Sequence, residues 1–441
     1  MTITVNGVIA ANRFGLGALP TELNSASNNP KQWLKQQLVP ILFNDNFPSS
    51  GALAEQLNQY RVDKAKAEKN ANMKMAKPQF PRVALQMAAA AMTSAIESRQ
   101  SLSWRLLDFF SNHFSVTAAG QVMVALAPTL EREAIAPYLT GSFEQMLLAV
   151  SQHPAMLIYL NNEQSFGPNS KMGKRGKGLN ENLAREILEL HTLGVNSGYT
   201  QTDVVELAKG LSGWSVARPK KDKRTGFIFR DRGHEPGTRT LLNSSYPESG
   251  VKQGQAMLKF LANHPKTAQH LCTKLARHFI ADQPPTSLVE KLTQTWQRTQ
   301  GNIKAVIETL IDANESWQTQ RQKFKTPREF VISTMRAVGM QKTTERQLIQ
   351  SLKTLGQQPF KAGSPAGYSD VASSWAGASA MMARIDWSAA VAAQQNFNAE
   401  RILAQTLGLS VSDNTYRSVL RAESREQALT LLLMSPEFIR R

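Results

Sequence analysis

The chain has 441 residues, enough for a large buried core and roughly two to four domains' worth of material. Its 51 Lys and Arg against 34 Asp and Glu leave a formal charge of +17, while 41% hydrophobic content is that of a folded globule, which excludes wholesale disorder. The single cysteine, Cys272, excludes an intramolecular disulfide and any Cys-x-x-Cys pair for zinc or redox work.

From Met1 to Gly17 there is neither a basic n-region ahead of an apolar stretch nor a twin-arginine pair, so no signal peptide is read and the cytoplasm is the expected compartment. Helical periodicity then dominates, over Pro30–Leu38, Gly51–Lys69, Val83–Ser98 and on to Gln427–Met434. Ser142 with Gln145, and Thr200 with Asp203, have capping-box spacing and predict helix starts. His153-Pro154 and His264-Pro265 place proline at a first helical position, predicting helices that run toward Leu160 and Ile280. Even the most apolar stretch, Phe143 to Leu160, contains Glu144, Gln145, Gln152 and His153, so no membrane span is expected. Phe227, Phe229, Thr238 and Thr240 alternate around Gly233 and Gly237, predicting at most a short hairpin near 226–242. Loops are expected at Ser165–Gly178, Arg218–Gly226 and Gly356–Gly367, and no repeat period emerges. The expected fold is all-α, a multi-helix globular array with an N-terminal part (1–165), a central motif-bearing part (166–345) and a C-terminal part (346–441).

Polar residues are densest between Gly178 and Gly194. At about 100° per residue, Glu181, Asn182, Arg185, Glu186 and Glu189 share an arc of about 140°, opposite Leu179, Leu183, Ile187 and Leu190. Two readings stand: a structural polar network of Asn180, Glu181, Asn182 and Arg185 on a solvated face, or a buried polar site. Glu186, Glu189 and His191 have the chemistry of metal ligands, but on an ideal helix His191 lies about 140° from Glu186 and about 160° from Glu189, so they do not converge. Glu186 and Glu189 do share a face, as base or metal ligand, with His113 or His234 arriving from elsewhere as acid–base partner. No metal and no cofactor is assigned.

Just upstream, Lys171, Lys174, Arg175 and Lys177 lie among glycines, a pattern suited to a phosphate, sulfate or carboxylate near a helix start, or else to a solvated basic loop. It lacks Walker spacing. Between Pro265 and Ala281, Thr267, His270, Lys274, Arg277 and His278 fall on one side and Leu271, Cys272, Leu275, Phe279 and Ile280 toward the other, with no acidic residue in between. Such a stripe is either a solvent face or a set of cations free for an anion. His113 follows Trp104, Phe109 and Phe110, which makes it a packed core histidine or a catalyst. Arg218, Lys220, Lys221, Lys223 and Arg224 suit nonspecific phosphate contact, yet no RNA-binding or helix-turn-helix signature accompanies them, so nucleic acid is the weaker partner. Neither a Gly-x-Ser-x-Gly elbow nor a Gly-x-Gly-x-x-Gly turn after a strand is present.

Several segments together resemble a bacterial family known as domain of unknown function 1800 over nearly the whole chain. They are Arg13-Phe14-Gly15-Leu16-Gly17, Asn112-His113-Phe114, Pro154-Ala155-Met156-Leu157, the Asn180–Gly194 motif, Gly198-Tyr199-Thr200, Gly213-Trp214, His264-Pro265, Lys274-Leu275-Ala276 and Ser435-Pro436-Glu437-Phe438. Tyr368 stands where relatives commonly have tryptophan after glycine. The resemblance implies no activity for particular residues. It does imply a neighbour, since such proteins are often encoded beside domain of unknown function 1501 proteins, which look like sulfatases or alkaline phosphatases and often carry export signals. That favours an envelope or periplasmic role by co-export with a signal-bearing partner as the alternative to the cytoplasm.

The leading expectation is therefore an anion-binding protein that uses the 171–177 loop and the 270–278 stripe on sulfated, phosphorylated or acidic glycan material, with a sulfatase-like partner. The alternatives are an acid–base or metal-dependent enzyme using His113 or His234 with Glu186 or Glu189, and a nonspecific nucleic-acid binder.

Overall fold

Helix starts in this chain are set by side chains that satisfy the first free amides. Thr200 accepts from the Asp203 amide and Asp203 answers the Thr200 amide, opening the Gln201–Gly210 helix. The same reciprocal pair, Thr326 with Glu329 and Thr344 with Gln347, opens Pro327–Val338 and Glu345–Thr354. In both His-Pro pairs the histidine caps the helix that the proline begins: Nδ1 of His153 and of His264 accepts the amide two residues on at 3.1 Å. Ser142 caps Phe143–Gln152 through the Glu144 amide, not through a reciprocal bond with Gln145.

The computed structural model describes residues 3–43, 46–68, 78–339, 343–408 and 410–441. It is 62% helical, with 23 helices and two short two-stranded antiparallel sheets among the described residues. The helix expected over Gly51–Lys69 runs Ser50–Ala67, and Lys69 lies outside the described residues. The other expected helices are Pro30–Lys35, Phe80–Glu97 and Arg425–Met434. None of the described helices is long and apolar enough to cross a membrane.

The hairpin expected at 226–242 is instead shared between two ribbons. β1 (Trp214–Val216) pairs with β2 (Phe227–Phe229), Trp214 opposite Phe229, while β3 (Arg239–Leu241) pairs with β4 (Ser244–Tyr246). A 3-10 turn at Asp231–Gly233 separates β2 from β3, so each finds a partner outside the expected pair. Leu242 and Asn243, at φ 48° and 63°, make the two-residue loop of the second ribbon.

Among the described residues, three π-helical turns interrupt the array: Ala10–Phe14, Glu131–Ile135 and Ile187–His191. The first two pack against the Ser101–His113 helix, and the third meets its last residue through a His113 Nε2 to His191 carbonyl bond of 3.2 Å. That helix is core, with Leu102, Leu106, Leu107 and Phe110 all buried in an apolar cluster that extends from Ile9 to Ile439.

Part of the positive charge is inside. Seven Lys and Arg are buried among the described residues, against two buried carboxylates, Glu235 and Glu329. Arg336 illustrates how a cation is tolerated there: it donates to the carbonyls of Gly17, Ala95, Ile96 and Ser98 and to Glu22 Oε2 at 2.9 Å. Glu329 holds two guanidiniums, Arg105 Nη2 at 2.5 Å and Arg441 Nη2 at 2.7 Å, while its other oxygen accepts the Thr326 amide. Arg105 also donates to the Gly15 carbonyl, and Arg441 to those of His278 and Phe279.

Removing one partner of a buried ion pair strands the other, at a cost of about 3–5 kcal/mol. Glu329→Gln should therefore destabilise the protein by about that much in urea denaturation. A midpoint within a few tenths of a kcal/mol of wild type would show that Arg105 and Arg441 do not depend on the carboxylate.

Candidate functional site

A recess of about 360 Å³ is lined by several helices and loops, among them Ala88 and Ala91 of Phe80–Glu97, Ala127 and Leu130 of Gly120–Leu130, and Glu131 and Ile135 of the π turn that follows. The Ser101–His113 helix contributes Asp108, Phe109, Asn112 and His113; Pro265–Phe279 contributes Lys274, Arg277 and His278; the start of Pro327–Val338 contributes Arg328 and Glu329; and the loop after Glu345–Thr354 contributes Phe360, Tyr368 and Asp370. Most of the wall is apolar.

Asn112 ties the loop down. Its Oδ1 accepts the Tyr368 amide at 2.8 Å and its Nδ2 donates to the Tyr368 carbonyl at 2.9 Å. Gly367, at φ 79°, allows the approach, because a Cβ there would lie 2.4 Å from the Asn112 carbonyl oxygen.

His113 is fixed as one tautomer. A carbonyl only accepts, so Nε2, facing the His191 oxygen, carries the hydrogen, and the Nδ1 lone pair accepts from Lys274 Nζ at 2.9 Å. Burial, then the charge of Lys274, holds His113 well below the usual imidazole value. The same two causes bring His191 to about 3 and His270 to about 4. Lys274 itself is pushed down to about 8 by burial and by Arg277, with the Asp370 charge opposing. Around Lys274, then, the imidazoles are neutral and the amine is the titrating group near neutral pH.

Neither Lys274 nor Arg277 has a carboxylate oxygen within 4.0 Å among the described residues. Lys274 uses one donor, on His113, and Arg277 one, its Nε on the Asp282 carbonyl at 3.1 Å. On the same helix His278 Nδ1 lies 3.4 Å from Asp370 Oδ2, and His278 Nε2 is buried without a partner. Burial opposes ionisation of Asp370, but His278 and Lys323 hold its carboxyl down at about 2. Lys323 is placed for this between Asp370 and Asp282. Arg328 donates to Asp108 at 2.8 Å. Cys272 is buried, and its thiol is pushed up to about 12, which removes it as a nucleophile.

Of the residues singled out from sequence, His113, Lys274, Arg277 and His278 meet in this recess. His270 lies beside it, its Nε2 3.3 Å from the Leu190 carbonyl oxygen. The stripe on Pro265–Phe279 is no simple solvent face, since Thr267 and His278 are buried. His234 is elsewhere, both ring nitrogens engaged by the Ser212 carbonyl at 2.9 Å and Gln253 Oε1 at 3.1 Å. Glu186 and Glu189 are half-buried and outside the recess walls; burial first, and Glu189 second, raise the Glu186 carboxyl. The ideal-helix angles for this motif do not hold, because the α-helix is only Asn182–Glu186 and continues as the π turn Ile187–His191. Even so, among the described residues no three His, Cys, Asp or Glu side chains are grouped to hold a metal ion.

Lys171, Lys174, Arg175 and Lys177 are exposed and line no part of the recess. Their loop is ordered against 230–235 by Met172 N to Arg232 O, Gly167 N to Gly233 O and Asn169 to Glu235. The α-helix that follows the loop begins at Asn182. Asn180, Glu181, Asn182 and Arg185 do bond locally: Arg185 and Gln201 both reach Glu181 Oε2, at 3.0 and 2.7 Å, and the Asn182 amide donates to Asn180 Oδ1.

Asp108, Arg328, Glu329 and Asp370 were not singled out from sequence. The Thr326–Glu329 capping spacing was available as a signal that Glu329 opens a helix, but not that it lies beneath a cavity.

A family model described as protein of unknown function, DUF1800, matches residues 9–440. The chain belongs to the DUF1800 family. Every recess wall of this DUF1800 member falls inside the matched span. Comparison with curated proteins and with solved structures gives no match.

Asp370 supports charge on His278, so Asp370→Asn should lower the His278 pKa further below 6.5, read by NMR titration of the ring. Because the folded carboxyl is depressed, its stabilisation is present above about pH 4 and fades as pH falls toward 2. Asp370→Asn should flatten that part of the stability–pH curve. An unmoved His278 titration would show that the pair is not coupled.

Proposed function

We propose that the recess binds a small ligand whose anionic group sits on Lys274 and Arg277 and whose apolar body lies against Phe109, Phe114, Val116 and Phe360. One observation carries this reading: two cations project into a largely apolar cavity with no carboxylate within 4.0 Å among the described residues. Desolvated cations of this kind gain more from a ligand anion than solvated surface lysines do. The planar guanidinium of Arg277 suits carboxylate, phosphate or sulfate oxygens, and Lys274 adds a point charge.

The finer reading assigns the anionic group to sulfated, phosphorylated or acidic glycan material handled with a sulfatase-like partner. A cavity of about 360 Å³ suits one terminal group and not a chain. The exposed 171–177 cations would contact the rest of a polyanion. The partner rests on the family resemblance, and co-purification with a domain of unknown function 1501 protein tests it.

A second reading, acid–base catalysis on the bound ligand, is favoured by His278, whose Nε2 is buried without a partner while Asp370 backs Nδ1.

Charge-assisted hydrogen bonds are worth about 1.5–3 kcal/mol each. Phenyl phosphate should therefore bind wild type about 10- to 100-fold more tightly than Lys274→Gln or Arg277→Gln, measured by calorimetry. An anion favours the charged amine, so binding above about pH 8 should take up a proton, whereas binding at pH 6 should not. Equal affinity in the variants, or no dependence on buffer ionisation enthalpy at pH 8.5, would sink the anion site.

A further inference from the structure

The anion site uses the charged form of Lys274 and leaves its neutral form without a role. Three features of its surroundings fit a nucleophile better than a simple counter-charge. The amine has no carboxylate oxygen within 4.0 Å among the described residues, and the more distant Asp370 charge only partly offsets the burial that disfavours its ammonium form. Its one hydrogen-bond partner is the lone pair of a neutral imidazole, whose other nitrogen is locked on a backbone carbonyl, so His113 orients Nζ and can take a proton from it only at Nδ1. Finally, Arg277 is three residues further along the same helix and lines the same cavity, so a carboxylate it holds brings the adjoining carbon to the side of the helix that carries Lys274.

We propose that Lys274 is a carbonyl-condensing amine that forms an imine with a small 2-oxo acid or aldehyde acid, whose carboxylate is held by Arg277. The Nζ lone pair attacks the carbonyl carbon, a C–N bond forms, and the carbonyl π electrons move to oxygen. The nitrogen loses a proton to His113 Nδ1, which returns it to the oxygen. Departure of that oxygen as water, after a second protonation from solvent, leaves the protonated imine. One water is released and nothing is oxidised or reduced. Burial and the neighbouring Arg277 cation, which bring Lys274 to about 8, leave a substantial neutral fraction at mildly alkaline pH. Cys272, buried on the opposite side of the same helix, offers no competing nucleophile.

This inference rests on the anion site for the orientation of its substrate, and the two are separable by experiment. The full chain is incubated with glyoxylate, the smallest aldehyde bearing a carboxylate, and sodium cyanoborohydride, and adducts are located by peptide mass spectrometry. The expected result is one carboxymethyl group on Lys274, appearing at least about 10-fold faster than on the exposed Lys171, Lys174 and Lys177. Acetaldehyde, which lacks the carboxylate, should show no such preference for Lys274. Lys274→Arg should lose the fast adduct while the slow surface labelling continues. Labelling of Lys274 no faster than the surface lysines overturns the proposal, and this wild-type measurement does not depend on any variant folding. Phenyl phosphate binding without fast labelling leaves the anion site and removes the imine. Fast labelling by glyoxylate and acetaldehyde alike, without phenyl phosphate binding, keeps the amine chemistry and removes Arg277 as its guide.

Discussion

One carboxylate, Glu329, sits where the fold and the recess meet. Its oxygens are shared by Arg105 from the central helix, Arg441, and the amide of Thr326 at the start of its own helix. Arg105 in turn holds the Gly15 carbonyl after the first π turn, and Arg441 holds the carbonyls of His278 and Phe279 at the end of the helix that carries Lys274. The arginines draw its carboxyl far down despite complete burial, which keeps it charged where a lone buried acid would protonate. An apolar replacement of the whole cluster would pack as well. What the charges supply is register, because each guanidinium fits one arrangement of carbonyls and carboxylate.

Burial has a second effect on charge. Burial first, and then the charge of Lys274, drives His113, His191 and His270 neutral. Burial and the Arg277 cation in turn bring Lys274 down to about 8 against the opposing charge of Asp370. At His278, on the same helix, the order reverses: Asp370, fixed by Lys323, is the counter-charge that His278 faces. The recess thus has a cationic side and a paired side within one cavity. Environments that push neighbouring titratable groups apart are what acid–base and nucleophilic chemistry require.

The motif Asn112-His113-Phe114 now divides into separate tasks. Asn112 clasps the loop that carries Tyr368 and Asp370, His113 holds Lys274, and Phe114 packs against Phe143 and the His191 ring. All three π turns lie around the helix that ends in this motif. A π turn inserts a residue without ending the helix and so re-aims the groups that follow it. The carbonyl of His191, which sets the tautomer of His113, is delivered by one of them.

Helix content, the proline-led starts at 154 and 265, and the reciprocal cap at Thr200 were legible in the residues, because caps and periodicity act over three or four positions. The polar stripe from His270 to His278 was legible for the same reason. Its partner was not: His113 and Lys274 are 161 positions apart, and no local rule relates them. Asp370 and Glu329 were invisible as site residues, since a carboxylate in a loop and one in a capping box read the same whether they face water or a cavity. Charge counting was the most ambiguous signal. The formula that gives +17 weighs an exposed Lys171 and a buried Arg336 alike, yet one meets solvent and the other five acceptors. By itself the sequence determined which segments become helices and where they begin, because those energies are local. Only the tertiary structure decided which cations are paired within the fold and which keep no carboxylate partner, because burial and pairing depend on chain segments that meet from far apart.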